Sequence, residues 1–129
     1  MNTRLLMMLS AITMGVAGIA LSFLPQEISG YFNSTGTIFT VLAMQVLGAL
    51  YFGFAMVNWT AKANLIGGIY GRPIAIGNLT HFVIGALALL KGYFSSHDKT
   101  VLIAALIYTV FAIAFGFVFF THPVKVSEP

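Results

Sequence analysis

The sequence predicts an all-α fold, an integral membrane antiparallel four-helix bundle forming one domain over residues 1–129. Three observations predict it. Of the 129 residues 59% are hydrophobic and only 7% charged. A soluble domain carries about 25% charged residues, so there is too little charge here to solvate a globular surface. Apolar runs of about 20 residues recur four times, and each matches a hydrocarbon core of roughly 30 Å. Finally, the three acids (Glu27, Asp98, Glu128) and the six bases all lie in, or at the edge of, the gaps between these runs. Mean hydropathy is +0.96.

The first span is expected at residues 5–24. Arg4 before an apolar run resembles the start of a secretory signal, but the run exceeds the ~7–15 apolar residues of such signals and no clear small-x-small cleavage site ends it. Ala11, Gly15, Gly18 and Ser22 form a stripe of small residues, and Pro25 is expected to end the helix. Pro25 to Gly36 reads as a loop holding Glu27 and no Lys or Arg, with Ile28, Tyr31 and Phe32 resting at the lipid headgroups.

The second span is expected at 37–59. Gln45, Gly48, Tyr51, Ala55, Asn58 and Trp59 share one side of its helical wheel and are expected to face inward or toward a partner; Leu42, Val46, Leu50, Phe54 and Val57 share the other. In the following loop Gly67, Gly68 and Gly71 break any helix, and Leu65, Ile66, Ile69 and Tyr70 suit a segment that dips into the interface.

The third span, 73–92, opens on Pro73, which is well placed in a first helical turn. Gly77, Asn78, His81, Gly85, Ala88 and Gly92 fall within an arc of roughly 100°, with Ile76, Leu79, Val83, Ala86 and Leu90 opposite. Lipid tails are as apolar as leucine, so helices associate through close approach of small residues and through side-chain hydrogen bonds. The small and polar face is therefore expected to meet protein, and the aliphatic face lipid. After a short polar turn, Ser96 or Asp98 is placed to cap the fourth span, 100–120. There Ala105, Thr109, Ala112 and Gly116 form the packing stripe, with Phe111, Phe115, Phe117 and Phe119 mostly away from it. His122-Pro123 ends the span.

With the N-terminus inside, the inner loops hold Arg4, Lys62, Arg72 and Lys125, and the outer loops Lys91 and Lys99. The bias predicts both termini in the cytoplasm. Arg72, Lys91 and Trp59 are expected as anchors at the lipid headgroups, and the bilayer itself is the first partner.

Polar side chains at membrane depth are rare and often functional. Gln45, Tyr51, Asn78 and His81 are the candidates for a ligand-binding pocket. At 1.5 Å per residue His81 and Tyr51 both lie roughly 12 Å in from the inner side, so Tyr51 is the expected partner of His81. The simpler reading, an interhelical hydrogen-bond cluster that fixes packing, is preferred. No cofactor is expected: His81 is the one histidine well inside a span, which disfavours a haem held by two histidines, and no carboxylate shares its depth to hold a metal. Cysteine is absent, which excludes disulfides, thiolate metal sites and cysteine nucleophiles. The formal charge of +3 comes without a basic cluster, so no nucleic-acid partner is expected. With no membrane-embedded acid, proton-coupled exchange is disfavoured, and with no nucleophile–base pair, so is an enzyme.

The segments LGALYFGFAMVNW (47–59) and GRPIAIGNLTHFVIGALALLKG (71–92), with four short-looped spans, resemble the short four-span inner-membrane proteins of bacteria. The resemblance implies a bacterial inner-membrane setting. Two functions remain. One is a non-catalytic accessory or scaffold subunit of a homo-oligomer or larger membrane complex. The other is a binder or transporter of a small uncharged or lipid-like molecule.

Overall fold

The computed structural model describes residues 2–32, 36–63 and 71–121. These form five helices: α1 (Thr3–Phe23), α2 (Pro25–Tyr31), α3 (Ile38–Ala61), α4 (Arg72–Ser96) and α5 (Lys99–Thr121). No strand occurs among the described residues. The fold is all-α, and α1, α3, α4 and α5 are each long and apolar enough to cross a membrane, as the four-helix membrane bundle requires. The apolar loop at Leu65–Tyr70, the segment after Thr121 with His122-Pro123, and Lys125 lie outside the described residues.

The chain divides into two compact units, Arg4–Ala63 and the part that carries α4 and α5. In the first, α1 and α3 touch through their glycines. A Cβ on Gly18 would stand 2.7 Å from Phe52 N and 2.8 Å from Gly48 O, and one on Gly48 would stand 2.7 Å from Gly18 O. Only glycine lets two backbones approach this closely, and in lipid that closeness is what holds helices together. Gly15 continues the seam, its missing Cβ 3.6 Å from Ala55 Cβ. The small-residue stripe expected for the first span is thus its packing face.

Pro25 does not lead into a loop. It stands at the first position of α2, where a missing N–H is no loss because the first helical N–H groups have no intrahelical partner. Pro25 and Ser29 are buried, while Tyr31 and Phe32 are exposed and meet edge to face at 5.0 Å. Thr37 then caps α3, its hydroxyl accepting Thr40 N–H at 3.2 Å.

The expected inward face of α3 holds for Gly48, Ala55 and Asn58, which are buried; Tyr51 is half-buried. Gln45 and Trp59, on the flank of that face, are exposed in the single chain. The buried stripe runs on through Ala61 instead.

In the second unit, α4 continues past Gly92 to Ser96, so the turn to α5 is only His97 and Asp98. His97 adopts a left-handed conformation (φ 53°), and its N–H donates to Tyr93 O at 2.7 Å, closing α4. Asp98 caps α5 as expected, Oδ1 accepting Thr100 N–H at 2.7 Å and Val101 N–H at 3.4 Å. Ser96 serves the turn rather than α5, its hydroxyl accepting Asp98 N–H at 3.3 Å.

The wheel of the third span is rotated from expectation. The buried stripe of α4 is Ala75, Asn78, Phe82 and Ala86, whereas Ala88 is exposed. Phe82 is fully buried and stacks on Phe111 (centroids 4.8 Å) and Phe115 (5.6 Å) of α5. Phe111 and Phe115 therefore face inward, against the expectation that they lie away from the seam. The small residues still matter at the edges: Ala105 is buried, and the missing Cβ of Gly116 stands 3.6 Å from Leu79 Cδ1.

Candidate functional site

The second unit brings an imidazole, a phenol and three phenylalanine rings together between α4 and α5. His81 Nε2 and Tyr108 Oη are 3.3 Å apart, a hydrogen bond in which either can donate, according to the tautomer. Their ring centroids are 5.4 Å apart. Phe82 stands edge-on to both, 5.0 Å from His81 and 5.1 Å from Tyr108. Such tilted and edge-on contacts suit rings whose faces are negative and edges positive.

The local sequence explains the arrangement. Gly85 lies one turn beyond His81 on α4. A Cβ there would stand 2.5 Å from Tyr108 Cε1 and 2.6 Å from Cδ1, so the Tyr108 ring rests on bare backbone. That contact aims the hydroxyl at the imidazole. Tyr108, which the sequence reading did not name, is thus one hydrogen-bond partner of His81.

Asn78, one turn before His81, is fully buried. Its Nδ2 donates to Ile74 O at 3.0 Å, a bond back along its own helix. His81 and Tyr108 are each only half-buried.

The first unit holds a polar contact that sequence reasoning missed. Asn58 Nδ2 donates to Ser10 Oγ at 3.0 Å, and Ser10 Oγ donates to Met7 O at 3.0 Å. Asn58 and Ser10 are both fully buried. This pair links α3 to α1 near the N-terminal end of α1. The signal was available: Ser10 lies one residue before the small stripe, and Asn58 shares the wheel face of Gly48 and Ala55. Toward the other end of the seam, Gln45 Nε2 reaches Ser22 O at 3.5 Å.

Of the anchor residues, Trp59 stacks beneath Lys62, whose Nζ lies 3.1 Å from the ring centroid. Arg72 and Lys91 are exposed at the start and toward the end of α4. Among the described residues, every buried side-chain nitrogen or oxygen has a hydrogen-bond partner, and no three His, Asp or Glu side chains converge as metal ligands would.

Comparison of the chain with protein-family models, with curated proteins and with solved structures finds no match.

Proposed function

We propose that this multi-pass membrane protein is a non-catalytic accessory or scaffold subunit, working in a homo-oligomer or a larger assembly of the bacterial inner membrane, with both termini in the cytoplasm. The observation that carries the reading is the closure of its polar groups. Buried side-chain donors and acceptors among the described residues are answered within the chain, as at Asn58–Ser10. A pocket built for a solute holds polar groups ready for it; here they are spent on bonds within and between helices. The seams rest on glycine and aromatic packing, which suits a rigid part.

A second reading has one observation in its favour. His81 and Tyr108 are bonded to each other yet only half-buried, so a small uncharged or lipid-like molecule has access to them from the side of the helix pair. In that reading His81 and Asn78 are the binding residues of the second unit.

Native mass spectrometry of gently solubilised protein separates the two. A stoichiometric protein partner or a defined oligomer is the expected result. A retained small molecule on a monomer, lost in His81→Leu, replaces the scaffold reading with the second one.

A further inference from the structure

The first unit, Arg4–Ala63, carries three charged side chains, and they are sorted by end. Its two bases are Arg4, in the first turn of α1, and Lys62, the residue that closes α3. Its one acid, Glu27, lies in α2, beyond the opposite end of α1.

The contacts between α1 and α3 bring the two bases to one height. Positions along α3 descend as those along α1 rise: Ser10 bonds to Asn58, Gly15 meets Ala55, and Gly18 meets Phe52, so the helices are antiparallel. Arg4 precedes Ser10 by roughly 9 Å of helix, and Lys62 follows Asn58 by roughly 6 Å. The two stand at the same end of the pair, where both apolar spans stop. That is the depth of the lipid headgroups, and the depth that tryptophan favours.

Lys62 is held there in a particular way. A lysine that only marks one side of the membrane keeps its ammonium in water. Lys62 is half-buried, and its Nζ lies 3.1 Å from the centroid of the Trp59 ring. The ring face attracts the charge but has no lone pair to offer, so the three N–H donors of the ammonium are left to bond oxygens. The guanidinium of Arg4 has a fork of donors that matches two oxygens of one phosphate.

No carboxylate within the first unit stands at this end, since Glu27 is at the other. Asp98, of the second unit, is occupied at the start of α5, where its Oδ1 accepts Thr100 N–H and Val101 N–H. The oxygen anions that abound at headgroup depth are lipid phosphates.

We propose that Lys62, seated on Trp59, together with Arg4 binds the phosphate of an anionic phospholipid at this end of the α1–α3 pair. Indole and ammonium are assembled before the lipid arrives, so less side-chain freedom is lost on binding. The net negative headgroup distinguishes this lipid from a zwitterionic one, whose own cation offsets its phosphate. Such binding is compatible with either function above. The topology drawn from the lysine and arginine count assigns the site to the inner leaflet; in symmetric vesicles the binding does not depend on it.

Trp59 is the one tryptophan of the chain and reports on the site directly. The full chain is reconstituted into phosphatidylcholine vesicles, and brominated phosphatidylglycerol or brominated phosphatidylcholine is mixed in to quench tryptophan fluorescence by contact. The expected result is that the anionic lipid competes for Trp59 about fivefold to twentyfold better than the zwitterionic one, the effect of one or two basic residues near a charged surface. Arg4→Gln and Lys62→Gln should each lower the preference by about fivefold, and the double variant should be quenched equally by both lipids. Lys62→Arg, which keeps the charge and stacks on an indole equally well, should retain most of the preference. Lys99→Gln, in the other unit, should leave it unchanged. Circular dichroism of each variant checks that the helices are intact. Equal quenching of the unaltered protein by the two lipids, or a preference that survives in the folded double variant, overturns the proposal. So does a preference abolished by millimolar inorganic phosphate, which would mark a site for a soluble anion instead of a lipid.

Discussion

The ring of Tyr108 lies against the bare backbone of Gly85, with the position of a Cβ only 2.5 Å from Tyr108 Cε1. The hydroxyl is held at 3.3 Å from His81 by this contact. Gly85→Ala must therefore displace the ring. The expected result is a loss of about 1–3 kcal/mol in stability of the solubilised protein, the range for overpacking a seam. Tyr108→Ala added to Gly85→Ala should give a smaller loss than the two changes summed, because the clash is gone. Additive losses, read from unfolding in mixed micelles, would refute the contact.

Gly18 and Gly48 face backbone atoms rather than a movable ring. Gly18→Ala or Gly48→Ala should therefore force α1 and α3 apart and lower stability by about 1–3 kcal/mol or more. Gly53→Ala meets nothing within 4 Å in the chain. In the dispersed monomer it should be neutral or stabilising by up to about 1 kcal/mol, from helix propensity alone. Thermal denaturation of the three variants side by side tests the order; an equal loss at Gly53 would contradict the open face.

The His81–Tyr108 bond invites a double-mutant cycle. His81→Leu and Tyr108→Phe should each destabilise the protein, with a coupling of about 0.6 kcal/mol and no more than about 1.7, as for other hydrogen bonds between membrane helices. On the scaffold reading, His81→Leu leaves activity intact once the protein is inserted. On the ligand reading, the same change abolishes function while the fold survives, and His81→Gln restores part. A coupling indistinguishable from zero would remove the bond from both accounts.

Topology is open to direct labelling. Cysteines placed at Gln26 and at Ser96, both exposed, should react with a membrane-impermeant maleimide from the periplasmic side. One at exposed Ala63 should react only after the membrane is opened. The reverse pattern would invert the orientation drawn from the lysine and arginine count.

Much of the fold was legible in the sequence because lipid constrains it. Span length, the glycine seam at Gly15 and Gly18, and the Asp98 cap each follow from a local rule. What escaped has a common cause. In a bilayer, leucine and phenylalanine are as comfortable against lipid as against protein, so hydrophobicity does not say which way Phe82, Phe111 and Phe115 face. Their burial depends on which helix stands opposite. Tyr108 was passed over for the same reason: it sits next to Thr109, in a span read by its small residues, and its role appears only when Gly85 is set against it. Pro25 misled in another way. A proline ends one helix and begins the next equally well, and here α1 stops at Phe23 as expected while Pro25 opens α2 in place of a loop.

The two-residue turn at His97 and Asp98 has a consequence for how the protein is made. The N–H groups of the turn and of the start of α5 are answered locally, by Tyr93 O, by the Ser96 hydroxyl and by the Asp98 carboxylate. A nascent α4–α5 hairpin thus offers the translocation machinery a compact tip with few bare backbone groups. Its contacts are also close in sequence, so they form with little loop entropy to overcome.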